Sequence, residues 1–162
     1  MEIRELKPDD MHQLAALILS VYADSALSMW FEKKPDEGEL KELFTYKLAS
    51  VKKKKAIDIV AVEKNCVIGE CEIVVQEKIG KIGMIIEGKY RGKGVGTSLL
   101  EYGINKAKKL GIVSLVAEVA KENKGATAFF ERSNFVLKGI SERSVTKESG
   151  SHEVLYLELR LT

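Results

Sequence analysis

The plainest chemistry in this chain lies in Arg91-Gly92-Lys93-Gly94-Val95-Gly96-Thr97-Ser98, a run of alternating glycines that passes directly into helix-forming sequence. Main-chain N–H groups at a helix N-terminus lack intrahelical acceptors and sit at the positive end of the helix dipole, so they attract anions. Glycines let such a backbone approach a ligand closely and adopt conformations that a side chain forbids. Arg91 and Lys93 add positive charge, and the hydroxyls of Thr97 and Ser98 can donate further bonds. The segment is suited to a phosphate or a pyrophosphate.

Two familiar phosphate patterns fail. A dinucleotide fingerprint G-x-G-x-x-G needs a third glycine, and the chain offers Thr97 counted from Gly92 or Leu99 counted from Gly94. A P-loop fits numerically from Gly83 to Lys89, but Tyr90 replaces the hydroxyl residue that holds magnesium, and Met84-Ile85-Ile86 is strand-like. Metal chemistry has little to draw on. His12 and His152 are the only histidines, and Cys66 and Cys71 have no partners at metal-ligand spacing, so no metal is expected. Both thiols read as buried and reduced.

The bulk properties exclude other classes. With 26 Lys and Arg against 24 Asp and Glu, a formal charge of +2, the chain lacks the basic excess of a nucleic-acid binder. The run Lys52 to Lys55 reads as a solvated cap at a helix C-terminus. No apolar stretch is long enough to span a bilayer, and Met1 leads into a strand-like segment rather than a signal peptide. A soluble, cytoplasmic protein with no nucleic-acid or membrane partner is expected.

The elements that must position the glycine segment follow from periodicity. The 162 residues suffice for one domain, 1–162. Ile3 to Leu6 reads as a short strand, and Pro8-Asp9-Asp10 opens a helix whose core face is Met11, Leu14, Leu17, Ile18 and Val21. A second helix carries Leu40, Leu43, Phe44 and Leu48. IDIVAV, a turn at Lys64-Asn65, VIGECEIVV and a run from Ile79 to Glu87 give three strands. After the glycine segment comes an amphipathic helix striped by Leu100, Ile104 and Ala107, with Gly111 as its C-terminal cap. A buried strand, IVSLVAEV, precedes a helix from Asn123 to Arg132, and FVLKGI and VLYLELRL, joined by the polar loop KESGSHE, end the chain. The order predicts a mixed sheet with helices packed on it.

Arg91 to Gly96 also fits [QR]-x-x-G-x-[GA], the signature of the Gcn5-related N-acetyltransferases. One strand later, Asn123, Ala126, Phe129, Phe130, Glu131 and Phe135 fall at the spacing of that family's N-x-x-A-x-x-[FL]-Y-E-x-x-G-F segment. The chain resembles the family from about Ile79 to Leu137, and its ribosomal-protein alanine acetyltransferase-like members most closely in motif. The resemblance implies an α/β fold: a mostly antiparallel central sheet with a V-shaped splay and about four flanking helices. It implies acetyl-CoA as cosubstrate and direct acetyl transfer to a primary amine, whether a peptide N-terminus, a lysine or a small amine. A homodimer is possible on the same grounds.

Carried over residue by residue, the backbone of Met84, Ile85 and Ile86 would pair with pantetheine amides as an added strand. The N–H groups of Gly92, Lys93, Gly94, Val95, Gly96 and Thr97, with Arg91 beside them, would hold the pyrophosphate. Asn123 would bond the pantetheine arm, and Phe130 would lie against the sulfur end. Lys93 or Lys124 could reach the outer phosphate. An N–H near Ile86 would polarise the thioester carbonyl. Glu118 stands where that branch has its base; Glu87, at the end of the pantetheine strand, is the second candidate.

Two departures accompany the resemblance. Phe130 replaces the tyrosine that serves many members as general acid, which leaves His152 and Tyr156 as candidate donors and makes a non-catalytic acyl-CoA-binding module the alternative. Asn134 replaces a glycine, in a turn that asparagine tolerates. The acceptor region of the family maps here to Asp24, Trp30, Phe31, Glu32, Asp36, Glu37, Glu39, Glu148 and Glu153, a set that would suit a cationic amine.

Overall fold

The computed structural model describes residues 1–24, 31–147 and 150–162. Strand β1 (Glu2–Glu5) leads through a 3₁₀ turn (Pro8–Asp10) into helices α1 (Met11–Asp24) and α2 (Glu37–Lys52). Strands β2 (Ala56–Glu63), β3 (Cys66–Gln76) and β4 (Ile79–Ile86) follow, then a second 3₁₀ turn (Gly88–Tyr90) and helix α3 (Val95–Lys109). Strand β5 (Ser114–Ala120), helix α4 (Lys124–Arg132) and strands β6 (Val136–Lys147) and β7 (Gly150–Arg160) complete the chain. This is the order that the periodicity predicts.

The strands form one sheet in the order β1-β2-β3-β4-β5-β7-β6. Neighbours are antiparallel except β4 and β5, whose parallel pairing requires the crossover that α3 supplies. That pairing runs from Ile79↔Ser114 to Ile82↔Ala117 and then stops, although β4 continues to Ile86 and β5 to Ala120. The sheet is therefore parted at its centre, in the mostly antiparallel splayed form that the resemblance implies.

Alternation along the strands gives the sheet two buried faces. On one, Val95, Leu99, Leu100 and Ala107 of α3 and Phe130 of α4 pack against Ile59, Ile73, Ile82, Leu115 and Leu157. Gly103 of α3 lets that helix settle on the sheet, because an added Cβ would lie 3.2 Å from Ile73 Cδ1. On the other face, Leu14, Leu17, Ile18 and Val21 of α1 and Leu40 and Phe44 of α2 cover Val60, Val67 and Ile85, with Phe31 packed alongside.

Lys47 of α2 also enters this second core, and its Nζ lies 2.8 Å from Glu70, 3.0 Å from Glu72 and 3.4 Å from Asp58. Burial disfavours its charge, but the three carboxyls outweigh burial and raise the ammonium's pKa. Burial, reinforced by the charge of Glu70, pushes the Asp58 carboxyl up to about 10.

Local chemistry explains the boundaries. Lys64 and Asn65 take φ of 51° and 63°, the left-handed pair of a tight hairpin between β2 and β3. Asp36 and Glu39 form a reciprocal capping box on α2. Gly111, at φ 76°, ends α3, with the Ile112 N–H bonded back to the Ala107 carbonyl at 3.1 Å. Asn134, at φ 70°, ends α4 in the same way, so the turn survives the exchange of glycine for asparagine. Asp10 takes two 2.8 Å bonds from Arg4 and one from the Lys7 N–H. Burial opposes its ionisation, but Arg4 and that N–H prevail and hold the carboxyl below its usual range.

Three expectations are corrected. Cys66 is exposed, because it opens β3 at the hairpin; only Cys71 is buried. The stretch read as the loop KESGSHE is mostly strand, since β6 reaches Lys147 and β7 begins at Gly150. Asp9 and Asp10 sit in a 3₁₀ turn ahead of α1 rather than in its first turn. Trp30 and Glu148 lie outside the described residues.

Candidate active site

Helix α3 presents a bare N-terminus to the parted strands. Its N-cap is Gly94, which has no side chain to turn back on the helix, whereas α2 and α4 are capped by Asp36 and Asn123. The first intrahelical bond is Ser98 N–H to Gly94 C=O at 3.1 Å, so the N–H groups of Val95, Gly96 and Thr97 precede the ladder. Gly92 and Gly94 have φ of 71° and 85°, conformations costly for any residue with a Cβ. Gly96 serves a different end. A Cβ there would lie 3.1 Å from Phe129 Cε2, so this glycine lets α4 close on α3.

The parted edge of β4 is also defined. The Glu87 N–H bonds to Ile68 C=O on β3 at 2.9 Å, so by antiparallel alternation Ile85 directs its polar groups to β3 as well. Met84 and Ile86 therefore turn theirs toward the opening. Arg91 Nε already donates to the Ile86 carbonyl at 3.1 Å, tying the glycine turn to the strand end.

A cleft of about 550 Å³ occupies the opening. Of the residues singled out in the sequence, Met84, Ile85, Ile86, Arg91, Gly92, Gly94, Gly96, Thr97, Glu118, Asn123 and Phe130 line it. Lys93, Val95 and Glu87 do not. Lys93 sits outside with its ammonium 5.9 Å from the Tyr90 ring centre, Val95 is buried in the core, and Glu87 lies in the turn after β4, 3.6 Å from Lys89. Asn123 spends its amide oxygen on α4, accepting the Ala126 N–H at 3.3 Å.

Among the described residues, Glu118 is the one carboxylate that lines the cleft. Its Oε1 is 2.9 Å from Lys81 Nζ, and its side chain is only 14 % exposed. It stands directly opposite Tyr156 of the neighbouring strand β7, on the same face of the sheet. His152 instead faces Glu122, with Nδ1 3.3 Å from the carboxylate. Among the acidic residues assigned to the acceptor region, Asp36 and Glu39 serve the capping box, and Glu153 pairs with Lys121 at 3.3 Å. None of the described members of that set lines the cleft.

Sequence reading misses several walls. Tyr90, Phe129 and Arg132 line the cleft, as do Val21 from α1 and Gly83 from β4. Phe129 had a signal in the second motif, and Tyr90 adjoins the first. Val21 had none, because its helical spacing reports only that it faces inward.

A bare helix N-terminus and a half-buried carboxylate on one parted strand pair fit the acyl-CoA N-acyltransferase fold. Solved structures agree. A ribosomal-protein-alanine N-acetyltransferase from Brucella melitensis superposes with a TM-score of 0.86 at 19 % identity, covering 99 % of this chain and 100 % of that one. A putative acetyltransferase from Salmonella typhimurium, solved with its cofactor acetyl-CoA, gives 0.83 at 16 % identity, covering 99 % and 94 %. A phosphinothricin acetyltransferase from Sinorhizobium meliloti, in complex with AcCoA, gives 0.82 at 17 % identity, covering 99 % and 88 %. Among curated proteins, none matches the chain by sequence. The acetyltransferase (GNAT) family model matches residues 20–135, most of the chain. The chain belongs to that family and is an acetyltransferase enzyme.

Proposed function

We propose that this protein moves an acetyl group from acetyl-CoA directly to a primary amine, with Glu118 as the base. The observation that carries the reading is the end of β4–β5 pairing at Ile82↔Ala117, which leaves a polar strand edge running from the bare α3 N-terminus to Glu118. Met84 and Ile86 would pair with the pantetheine arm as an added strand, and the N–H groups of Val95, Gly96 and Thr97 would hold the diphosphate. The structures solved with acetyl-CoA support this choice of donor.

The chemistry balances as follows. An ammonium acceptor gives a proton to Glu118, and the freed nitrogen pair forms a bond to the thioester carbonyl carbon. The carbon–sulfur bond breaks, its electron pair leaves with sulfur, the nitrogen sheds a second proton to become the amide, and the thiolate takes up one proton, so that the proton on Glu118 is the one released to solvent. Phe130 offers no phenol to protonate the thiolate; Tyr156, the cross-strand partner of Glu118 on the same face of the sheet, is the candidate donor. No helix among the described residues is long and apolar enough to cross a membrane, and the two free thiols suit a reducing compartment. We place the reaction in the cytoplasm.

The test is thiol release from acetyl-CoA with a panel of peptides and small amines, for the native chain and for Glu118→Gln and Glu87→Gln. Glu118→Gln should lower kcat by about 10²–10⁴-fold, while Glu87→Gln stays near native. An unimpaired Glu118→Gln variant refutes the assignment. Coenzyme A binding without turnover of any amine refutes the enzymatic reading.

A further inference from the structure

Lys81 sits one residue before the last β4–β5 pair, Ile82↔Ala117, and Glu118 one residue after it. Paired residues share a face of the sheet, and so do alternate residues of one strand. Lys81 is paired with Val116, and Glu118 stands two residues beyond Val116, so both side chains leave the sheet on the same side. They meet there, with Lys81 Nζ 2.9 Å from Glu118 Oε1. The lysine thus holds a primary amine against the carboxylate that takes the acceptor's proton.

Other lysine–carboxylate pairs contrast with this one. Lys47 meets its carboxyls buried beneath α2. Lys89 stands 3.6 Å from Glu87 and Lys121 3.3 Å from Glu153, and neither carboxylate lines the cleft. Among the described residues, Lys81 is the one lysine in an ion pair with a carboxylate of the cleft. Its side chain is 42 % exposed, so its nitrogen is accessible. The strand that carries it is also the one whose edge would receive the donor. Met84, the first residue past the parting with polar groups turned to the opening, lies three residues on, about 10 Å along an extended strand. Lys81 covers part of that span, since its ammonium already reaches a residue beyond the last pair.

We propose that Lys81 is a self-acetylation site: with acetyl-CoA bound and no acceptor present, the chain transfers the acetyl group to Lys81 Nζ. This rests on acetyl-CoA as donor and Glu118 as base, as proposed above. The Lys81 ammonium gives one proton to Glu118, and the freed electron pair forms a bond to the thioester carbonyl carbon. The carbon–sulfur bond breaks with its pair on sulfur, the nitrogen sheds a second proton, and the thiolate takes up one. The products are coenzyme A, a released proton and a neutral acetyl-lysine. The new amide carries no charge, so the modification ends the ion pair with Glu118.

The test incubates the native chain with acetyl-CoA alone and follows each lysine by peptide mass spectrometry. Lys81 should gain an acetyl group at least about 10²-fold faster than Lys89, because only Lys81 has the help of Glu118. Its rate per chain should not change with protein concentration, since amine and base belong to one molecule. Excess coenzyme A should suppress the reaction, and Glu118→Gln should reduce it to the Lys89 rate. The ratio of Lys81 to Lys89 within the native chain decides the matter whether or not that variant folds. Labelling of Lys81 no faster than Lys89, or a rate per chain that rises with protein concentration, overturns the inference. Acetylation of a peptide or small amine by a chain whose Lys81 stays unmodified overturns it too, and leaves the acetyltransfer intact. A native chain that modifies neither Lys81 nor any amine removes the underlying reading as well.

Discussion

Replacing Gly94 by alanine isolates the backbone's part in the anion site. At φ 85° a residue with a Cβ pays about 1–2 kcal/mol of left-handed strain. A Cβ at this position meets no heavy atom within 4 Å among the described residues, so no steric cost adds to the strain. In a domain of this size each kcal/mol moves Tm by roughly 2–4 °C, so the variant should melt about 2–8 °C below native. Relaxing the strain also rotates the N–H groups that follow, and coenzyme A should bind more weakly. Gly96→Ala is the contrasting control. Its helical position gains roughly 0.8–1 kcal/mol of propensity. Its Cβ, however, would stand 3.1 Å from Phe129 on the cleft wall. It should bind less coenzyme A with little loss of Tm. Differential scanning fluorimetry and calorimetric titration with coenzyme A separate the two cases. If Gly94→Ala melts and binds like the native chain, the turn is not the strained element described above.

Lys47→Met should be among the most damaging single changes, because it leaves Glu70 and Glu72 without their cation beside Asp58; about 3–5 kcal/mol is expected, a fall in Tm of roughly 6–20 °C. Asp58, raised to about 10 from an ordinary 3.8, contributes stability that is complete below pH 3.8 and drains away as pH rises toward 10. Asp58→Asn should therefore flatten the decline of Tm between about pH 7 and 10, and an unchanged slope counts against the protonated carboxyl. Asp10 has the opposite sign: held below 3.8, it contributes stability above that pH and loses it as pH falls further. The Tm gap between native and Asp10→Asn should narrow in acid titrations below 3.8.

Periodicity made the order of elements legible because each helix carries a helical stripe and each central strand a β-branched run. It also identified the α3 N-terminus, since glycines and cations before a helix have few other uses. The ends of β6 and β7 were hidden, because Ser144 and Thr146 on the edge strand β6, and Ser151 facing them from β7, carry no apolar alternation. The Lys47 cluster was hidden for a different reason. Glu70 and Glu72 sit in a strand that reads as half solvated, and only the descent of α2 turns their face inward.

Amide hydrogen exchange, with and without acetyl-CoA, tests the central claim most directly. A donor threaded through the parted strands should protect the amides of Met84 and Ile86 and those of Val95, Gly96 and Thr97. Ile85, whose polar groups face β3, should change little. Saturable binding that protects other segments, and leaves the β4 edge and the α3 N-terminus exchanging as before, would contradict the account.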